Sequence, residues 1–557
     1  MENIQQKVRS SILELYGIEV NVTVTRPDPE FGDGATNVAL QLASKLGKPP
    51  KDVATEIANK LQESGEFSEV SVAGPGFLNI RFSDSVIKSM VDTATVLPQV
   101  LKGKVVVAEY SDPNPFKILH AGHLYTSIIG DAVANVLEAV GATVHRVNFG
   151  GDVGLHAAKM LWSITKKRGV DSEKLTAISN DDLNELVTEC YVDGNAAYDN
   201  NETAKSEIVA LNKQIYGFHA TNDTESPTAK MYWKIRSLYY DVYFKECYSS
   251  IGTHFEKFYP ESQTAPIGLA IVKEQLARGV YKESNGAVVF EGEKYGLHTR
   301  VFINSEGLPT YEAKDVGLIV KKYDDYTFDM SLVITGNDIV EYMKVVLKSV
   351  EQFAPHLVSA TTHLTHGIVK LEGGVKMSSR LGNILRAEDI LLSAAEANKA
   401  ANGNDSKAVV LGAVKYAFLK QRIGGDIIYD PNESISIVGN SGPYLQYAYA
   451  RAKSIMDKSH KPEDTGAYNF EYSAFERQLA VKVSEYPEVI EKVLQEYMPH
   501  HICTYLYELT QSFNRFYENE KVIGSDRETD RLTLLSSYIA VLKNGLNLLG
   551  IEAPNKM

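Results

Sequence analysis

At 557 residues the chain is too long for one hydrophobic core, because single cores stop growing at roughly 250 to 300 residues, so two to four domains are expected. A 44% hydrophobic and 23% charged composition excludes extensive disorder, and three scattered cysteines (Cys190, Cys247, Cys503) form neither a CxxC pair nor a zinc spacing, which fits a reducing compartment without a structural metal. A net charge of −14 excludes indiscriminate nucleic-acid binding, so an RNA partner must meet a locally basic face.

The first residues, MENIQQKVRSSILELYG, are polar and amphipathic. They lack the apolar centre of a secretory signal, and no run of about 18 apolar residues follows, so a cytoplasmic protein with no membrane span is expected. Residues 1–90 read as a small α/β module: a helix, a Gly/Pro-marked loop from Pro27 to Gly34, a second amphipathic helix and a strand ending at Phe82. Lys104–Tyr110 is a short buried-strand run, closed by Pro113, Asn114 and Pro115, with a helix from about His123 to Val140 and a second strand from Thr143 to Phe149. Such a β-loop-α-β unit predicts a parallel sheet with ligands at the carboxyl ends of its strands. A mainly helical stretch, about 160–260, looks like an insertion into that sheet, and strands are expected to return at Ala287–Glu291, Thr299–Asn304 and Ser331–Thr335. From about 435 to 557 the apolar spacing is helical throughout.

Two constellations carry chemistry. His120-Ala121-Gly122-His123 stands where a strand gives way to a helix. There, two imidazoles and a close-approach glycine at a positive helix end can hold phosphates; alternatively one histidine caps the helix and the other packs beneath it. Lys376-Met377-Ser378-Ser379-Arg380 lies between Gly373-Gly374 and Gly382-Asn383, which suits a mobile cationic loop meeting charge on pyrophosphate, and equally suits a solvated turn.

In that order and position the two motifs resemble the HIGH and KMSKS signatures of class I aminoacyl-tRNA synthetases. Their context resembles the arginyl members over nearly the whole chain. It includes Glu109-Tyr110-Ser111-Asp112-Pro113-Asn114, Asn148–Gly154, Glu261-Ser262, Thr310–Asp315, Gly439–Ala448 and the ending Leu548–Pro554. The resemblance implies an α/β multidomain protein: a small N-terminal α/β domain (1–90), a Rossmann-like parallel-sheet catalytic domain (100–400) with a mainly helical insertion, and an all-α anticodon-binding domain (435–557). It implies an arginine–tRNA ligase that uses ATP with Mg2+, holds no tight cofactor and, by family default, is a monomer.

Carried over by position, the resemblance puts Glu109, Ser111, Asn114, Tyr311, Asp315 and Asn337 around arginine, whose planar guanidinium suits two carboxylates. ATP falls to Lys117, His120, Gly122, His123, Gly151, Asp152, Lys376, Met377 and Ser378, with Lys117, His120, His123 and Lys376 the catalytic set. Ser379 stands where the loop's second lysine is usual, and Lys117, three residues before His120, is expected to compensate with Lys376. Expected tRNA contacts are Phe31 and Asp33 at the elbow and Tyr444, Gln446, Tyr447 and Arg451 at the anticodon. A cysteinyl ligase or small adenylyltransferase fits less well, for want of zinc ligands or because of the long helical tail. A catalytically silent RNA-binding relative would have no need of the acids and histidines.

Overall fold

A computed structural model describes residues 1–371, 385–403, 405–459 and 471–557. Its centre is a five-stranded, wholly parallel sheet. The strand Val105–Glu109 lies in the middle, with Thr143–Gly150 and then Lys257–Pro260 on one side, and Met330–Gly336 and then Thr361–His366 on the other. The chain thus winds outward from the middle strand in both directions, and the crevice at such a reversal of order is where α/β sheets bind ligands. Valine-rich Val105–Glu109 is buried along nearly its full length, as a strand covered by helices on both faces must be.

The helix Ala121–Ala139 follows the middle strand and is buried along most of its length, Thr126, Ser127 and Asp131 included. It is therefore enclosed all round, and Gly130 lets it approach: a Cβ there would stand 2.2 Å from the Tyr110 ring. The expected return of strands needs correcting in one respect. Ala287–Phe290 and Arg300–Ile303 do form, but they join Lys282–Ser284 in a separate antiparallel sheet, while Lys257–Pro260 and Thr361–His366, unforeseen from sequence, complete the central one. A four-residue edge strand and the polar run Thr-Thr-His-Leu-Thr-His both lack the apolar signature that announces a buried strand.

Between Gly154 and Gly252 the insertion is helical, with π-helical turns at Ser163–Lys167 and Leu238–Tyr243. The second turn delivers tyrosines to the loops that follow the first two central strands: Tyr243 accepts the Leu119 N–H at 2.9 Å and Tyr240 donates to the Gly150 carbonyl at 3.3 Å.

The N-terminal module packs helices Glu2–Tyr16, Val38–Leu46 and Pro50–Gln62 on a three-stranded antiparallel sheet. The C-terminal helices Gly442–Lys458, Ala474–Ser484, Tyr486–Glu496, His500–Asn519 and Glu528–Leu548 grip that module through arginine forks. Arg477 holds Asp33 at 3.1 and 2.7 Å, and Arg26 holds Glu488 with two contacts of 3.0 Å. Among the described residues no helix is long and apolar enough to cross a membrane.

Candidate active site

A cleft of about 830 Å3 opens at the carboxyl ends of the central strands. Its walls come from segments spread along the chain, among them the loop from Val105–Glu109 into the start of Ala121–Ala139, Phe149 and Gly151, Glu261, the first turn of Tyr311–Tyr326, and the turns after Met330–Gly336 and Thr361–His366. Of the expected arginine and ATP residues it brings together Glu109, Ser111, Asn114, His120, Gly122, His123, Gly151, Tyr311, Asp315 and Asn337.

The loop from Ser111 to Phe116 is wound tightly, with φ of 75° at Ser111, 48° at Asp112 and 74° at Phe116, conformations that L-residues adopt only when surroundings impose them. Those surroundings are polar and specific. Ser111 Oγ meets the Tyr248 hydroxyl at 2.9 Å, Asp112 accepts the Phe149 N–H at 2.8 Å, and Asn114 Oδ1 accepts the Gly151 N–H at 3.2 Å. A Cβ at Gly151 would fall 2.2 Å from Asn114 Oδ1, so any larger residue there would displace the Asn114 amide.

His120 is the N-cap of Ala121–Ala139. Its Nδ1 accepts the Gly122 N–H at 3.1 Å, and His123 Nδ1 accepts the His120 N–H at 3.2 Å, so the rings cap the helix reciprocally and stack with centroids 3.7 Å apart. The capping and phosphate-binding readings are therefore compatible, because capping uses only Nδ1. Burial, then the Lys117 charge, holds His120 below the ordinary imidazole range, and burial, then His120 and Lys117, holds His123 well below it. A neutral ring whose Nδ1 accepts carries its proton on Nε2, leaving one donor on each histidine.

Acids occupy the other side of the cleft. Glu109 and Lys322 form a buried ion pair, and Lys322 also donates to Ser331 Oγ at 3.1 Å. Glu261 pairs with Lys314, which reaches the Val153 carbonyl at 3.2 Å. Asp315 has no ion-pair partner among the described residues and accepts the Tyr342 hydroxyl. Burial, reinforced by Glu109, Glu261 and Glu312, pushes its carboxyl up to about 8. Asp112 is likewise pushed up by burial and by Glu109. Two paired acids and two whose carboxyls are held high by burial and by neighbouring acids make a socket that favours a planar cation. Tyr311 and Asp315, four apart on one helix, both reach it, as their spacing predicted.

Some expected residues lie elsewhere. Lys117 does not line the cleft; its ammonium rests 4.4 Å above the Tyr191 ring, close enough for its charge to act on both histidines. Asp152 is wholly buried behind the cleft, accepting Arg236 Nε at 2.7 Å and both the N–H and hydroxyl of Ser262, so it braces the insertion. Lys376, Met377 and Ser378 fall outside the described residues. The chain just beyond them is pinned to the histidine motif, with the Ala121 N–H donating to the Leu385 carbonyl at 2.8 Å.

The expected tRNA residues also divide. Phe31 is half exposed, beside a small groove formed with Asn79 and Arg81. Asp33 is buried in the Arg477 fork, and Gln446 is fully buried with its amide nitrogen donating to the Ala408 and Glu552 carbonyls, so neither side chain is open to an RNA at the surface. Tyr447, Arg451 and Tyr517 form an open stack, the guanidinium lying 5.0 and 5.6 Å from the two rings, while Tyr444 OH accepts from Asn514 at 2.8 Å.

Sequence reasoning gave no role to Asp112, Tyr342, Asp338, Thr126 or His366, all of which line the cleft. Asp112 stood inside a quoted motif, and a polar residue just past a strand's carboxyl end is a signal that could have found it. For Tyr342 and His366 no local signal exists.

Comparison with known proteins agrees with this geometry. The family described as "tRNA synthetases class I (R), catalytic domain" matches residues 86–430. "Arginyl tRNA synthetase N terminal domain" matches 2–82, and "DALR anticodon binding domain" matches 445–557. Curated relatives include the arginine–tRNA ligases of Clostridium perfringens, 29% identical over 577 residues, and of Parabacteroides distasonis, 26% identical over 604; these alignments cover all of this chain and 99% and 100% of the relatives. The arginyl-tRNA synthetases of Thermus thermophilus (TM-score 0.78, 22% identity) and Plasmodium falciparum (TM-score 0.79, 21% identity) share the fold over all of this chain and 100% and 99% of theirs. The chain belongs to the arginyl family of class I tRNA synthetases.

Proposed function

We propose that this chain is an arginine–tRNA ligase that forms arginyl-adenylate from arginine and ATP and passes the arginyl group to the terminal ribose of its tRNA. One observation carries the reading. Neutral imidazole donors at 120 and 123 share a single cleft with a socket of acids in which Asp315 has no ion-pair partner among the described residues. In this reading Glu109 and Asp315 take the guanidinium, with Tyr311 along the alkyl stem and Ser111, Asn114 and Asn337 at the polar end. His120 and His123 donate Nε2–H groups to phosphate oxygens, Gly122 and Gly151 admit the nucleotide, and Asp152 supports the turn that carries Gly151.

The arginine carboxylate attacks the α-phosphorus, pyrophosphate leaves, and its charge is met by Lys117, by Lys376 with Met377 and Ser378 of the 376–380 segment, and by magnesium arriving with ATP. The tRNA ribose hydroxyl then attacks the acyl carbon and AMP departs. Positioning and electrostatics carry both steps. Phe31 is assigned to the tRNA elbow, and Tyr444, Tyr447 and Arg451 to the anticodon. The protein acts as a cytoplasmic monomer. Arginine-dependent ATP–pyrophosphate exchange, run with and without tRNA, tests the reading: exchange is expected only with arginine and with tRNA present. Exchange driven equally by another amino acid, or none under any condition, would refute it.

A further inference from the structure

The insertion helix Asn180–Asn200 reaches the catalytic centre at one point. Gly194 makes this possible, because its missing Cβ lets the helix settle against the backbone of Leu155–Trp162, where a Cβ would stand 2.1 Å from the Lys159 carbonyl. One helical face then presents Tyr191, Asn195 and Tyr198 to two lysines. Lys117 lies 4.4 Å from the Tyr191 ring, and Lys159 donates to Asn195 Oδ1 at 2.9 Å and lies 4.2 Å from the Tyr198 ring.

Among the described residues Lys117 makes no ion pair within 4.0 Å, and its one aromatic neighbour of this kind is Tyr191. A lysine carries four rotatable bonds, so an ammonium left to itself samples many positions and meets a phosphate in few of them. The ring restricts it without neutralising it, as a carboxylate would. Burial would raise the Tyr191 phenol, but the Lys117 and Asn195 contacts and both ammonium charges bring it below its ordinary value, so the two side chains are electrically coupled.

We infer that Tyr191 is a positioning residue for adenylate formation: the insertion supplies an aromatic platform that holds the Lys117 ammonium beside the histidine pair. This rests on the role given above to Lys117. It adds that the insertion takes part in the first chemical step through one side chain.

The test is a double-mutant cycle in the full-length chain, read by tRNA-supported ATP–pyrophosphate exchange, with thermal midpoints recorded for each variant. Tyr191→Ala is expected to lower kcat or raise the KM for ATP by about twofold to about thirtyfold, the range of a cation–aromatic contact, while the KM for arginine stays put. Tyr191→Phe keeps the ring face and should retain most of the activity. In a Lys117→Ala background Tyr191→Ala should add nothing. Equal losses from Tyr191→Ala in both backgrounds, or full activity of Tyr191→Ala beside an impaired Lys117→Ala, would overturn the inference and leave the Lys117 role standing. Near-normal exchange by Lys117→Ala alone would remove that role and this inference with it.

Discussion

The Tyr342 hydroxyl donates to the Asp315 carboxyl group at the floor of the cleft, and among the described residues Asp315 has no ion-pair partner. Its carboxyl, pushed up to about 8 by burial and by neighbouring acids, is largely protonated at pH 7 before arginine binds. A bound guanidinium favours the ionised form. Arginine binding should therefore release up to one proton per site between pH 6 and 8 and should tighten as pH rises across that window. Calorimetry of arginine binding in buffers of different ionisation enthalpy measures this directly, and heats independent of the buffer would show that Asp315 does not titrate with binding.

The same group makes a stability prediction of definite sign. A carboxyl whose folded-state pKa is raised contributes stability that is full below its unfolded value near 4 and is lost as pH rises toward 8. Asp315→Asn should thus resist denaturant better than the parent at pH 8 and equal it near pH 4, while its loss of affinity for arginine is large at pH 8 and shrinks as pH falls. A stability difference that grows toward acid pH would contradict the assignment.

Glu109 behaves differently because its charge is already met. The Glu109 and Lys322 side chains are 5% and 1% exposed, so Glu109→Gln strands a buried ammonium, at a cost of roughly 3–5 kcal/mol in unfolding free energy. Adding Lys322→Met should restore much of that stability without restoring the arginine KM. Urea titrations alongside exchange kinetics separate the two effects; recovery of both together would mean that Glu109 acts only through Lys322.

Gly122 tests the histidine pair without removing a histidine. A Cβ at 122 would stand 2.9 Å from the His120 ring, displacing it from the Gly122 N–H it accepts and from its stack on His123. Gly122→Ala is expected to lower kcat for exchange by about 10²-fold, comparable to losing an electrostatic donor, with little change in the thermal midpoint. Parental activity in a folded variant would mean that the ring positions are not needed.

On the helical domain, the open stack of Tyr447, Arg451 and Tyr517 offers ring faces and a delocalised cation to unpaired bases. Tyr447→Ala and Arg451→Ala should each raise the KM for tRNA by about tenfold, with Arg451→Ala also flattening its salt dependence. Gln446→Ala should instead reduce stability, because two buried carbonyls lose their donor. Aminoacylation kinetics over a salt series distinguish these classes. A Gln446 variant of parental stability with weakened tRNA binding would reverse the assignment.

Sequence by itself determined what is written locally. The valine run before Glu109, the histidines at a helix start, the helical periodicity past 435 and the four-residue spacing of Tyr311 and Asp315 each depend on neighbours within a few turns, and each stands in the structure where the pattern put it. What only the tertiary structure decided concerns partners far apart in the chain. Tyr342 meets Asp315, Lys322 meets Glu109, Arg477 closes on Asp33, and Tyr191 comes from the insertion to Lys117. None of these pairs leaves a periodic trace, because a side chain's partner across a core is set by how whole elements close on one another. The same reason explains why a polar edge strand at Thr361–His366 stayed hidden and why Gln446, polar in composition, lies in the core: only the assembled fold brings the Ala408 and Glu552 carbonyls to its amide nitrogen.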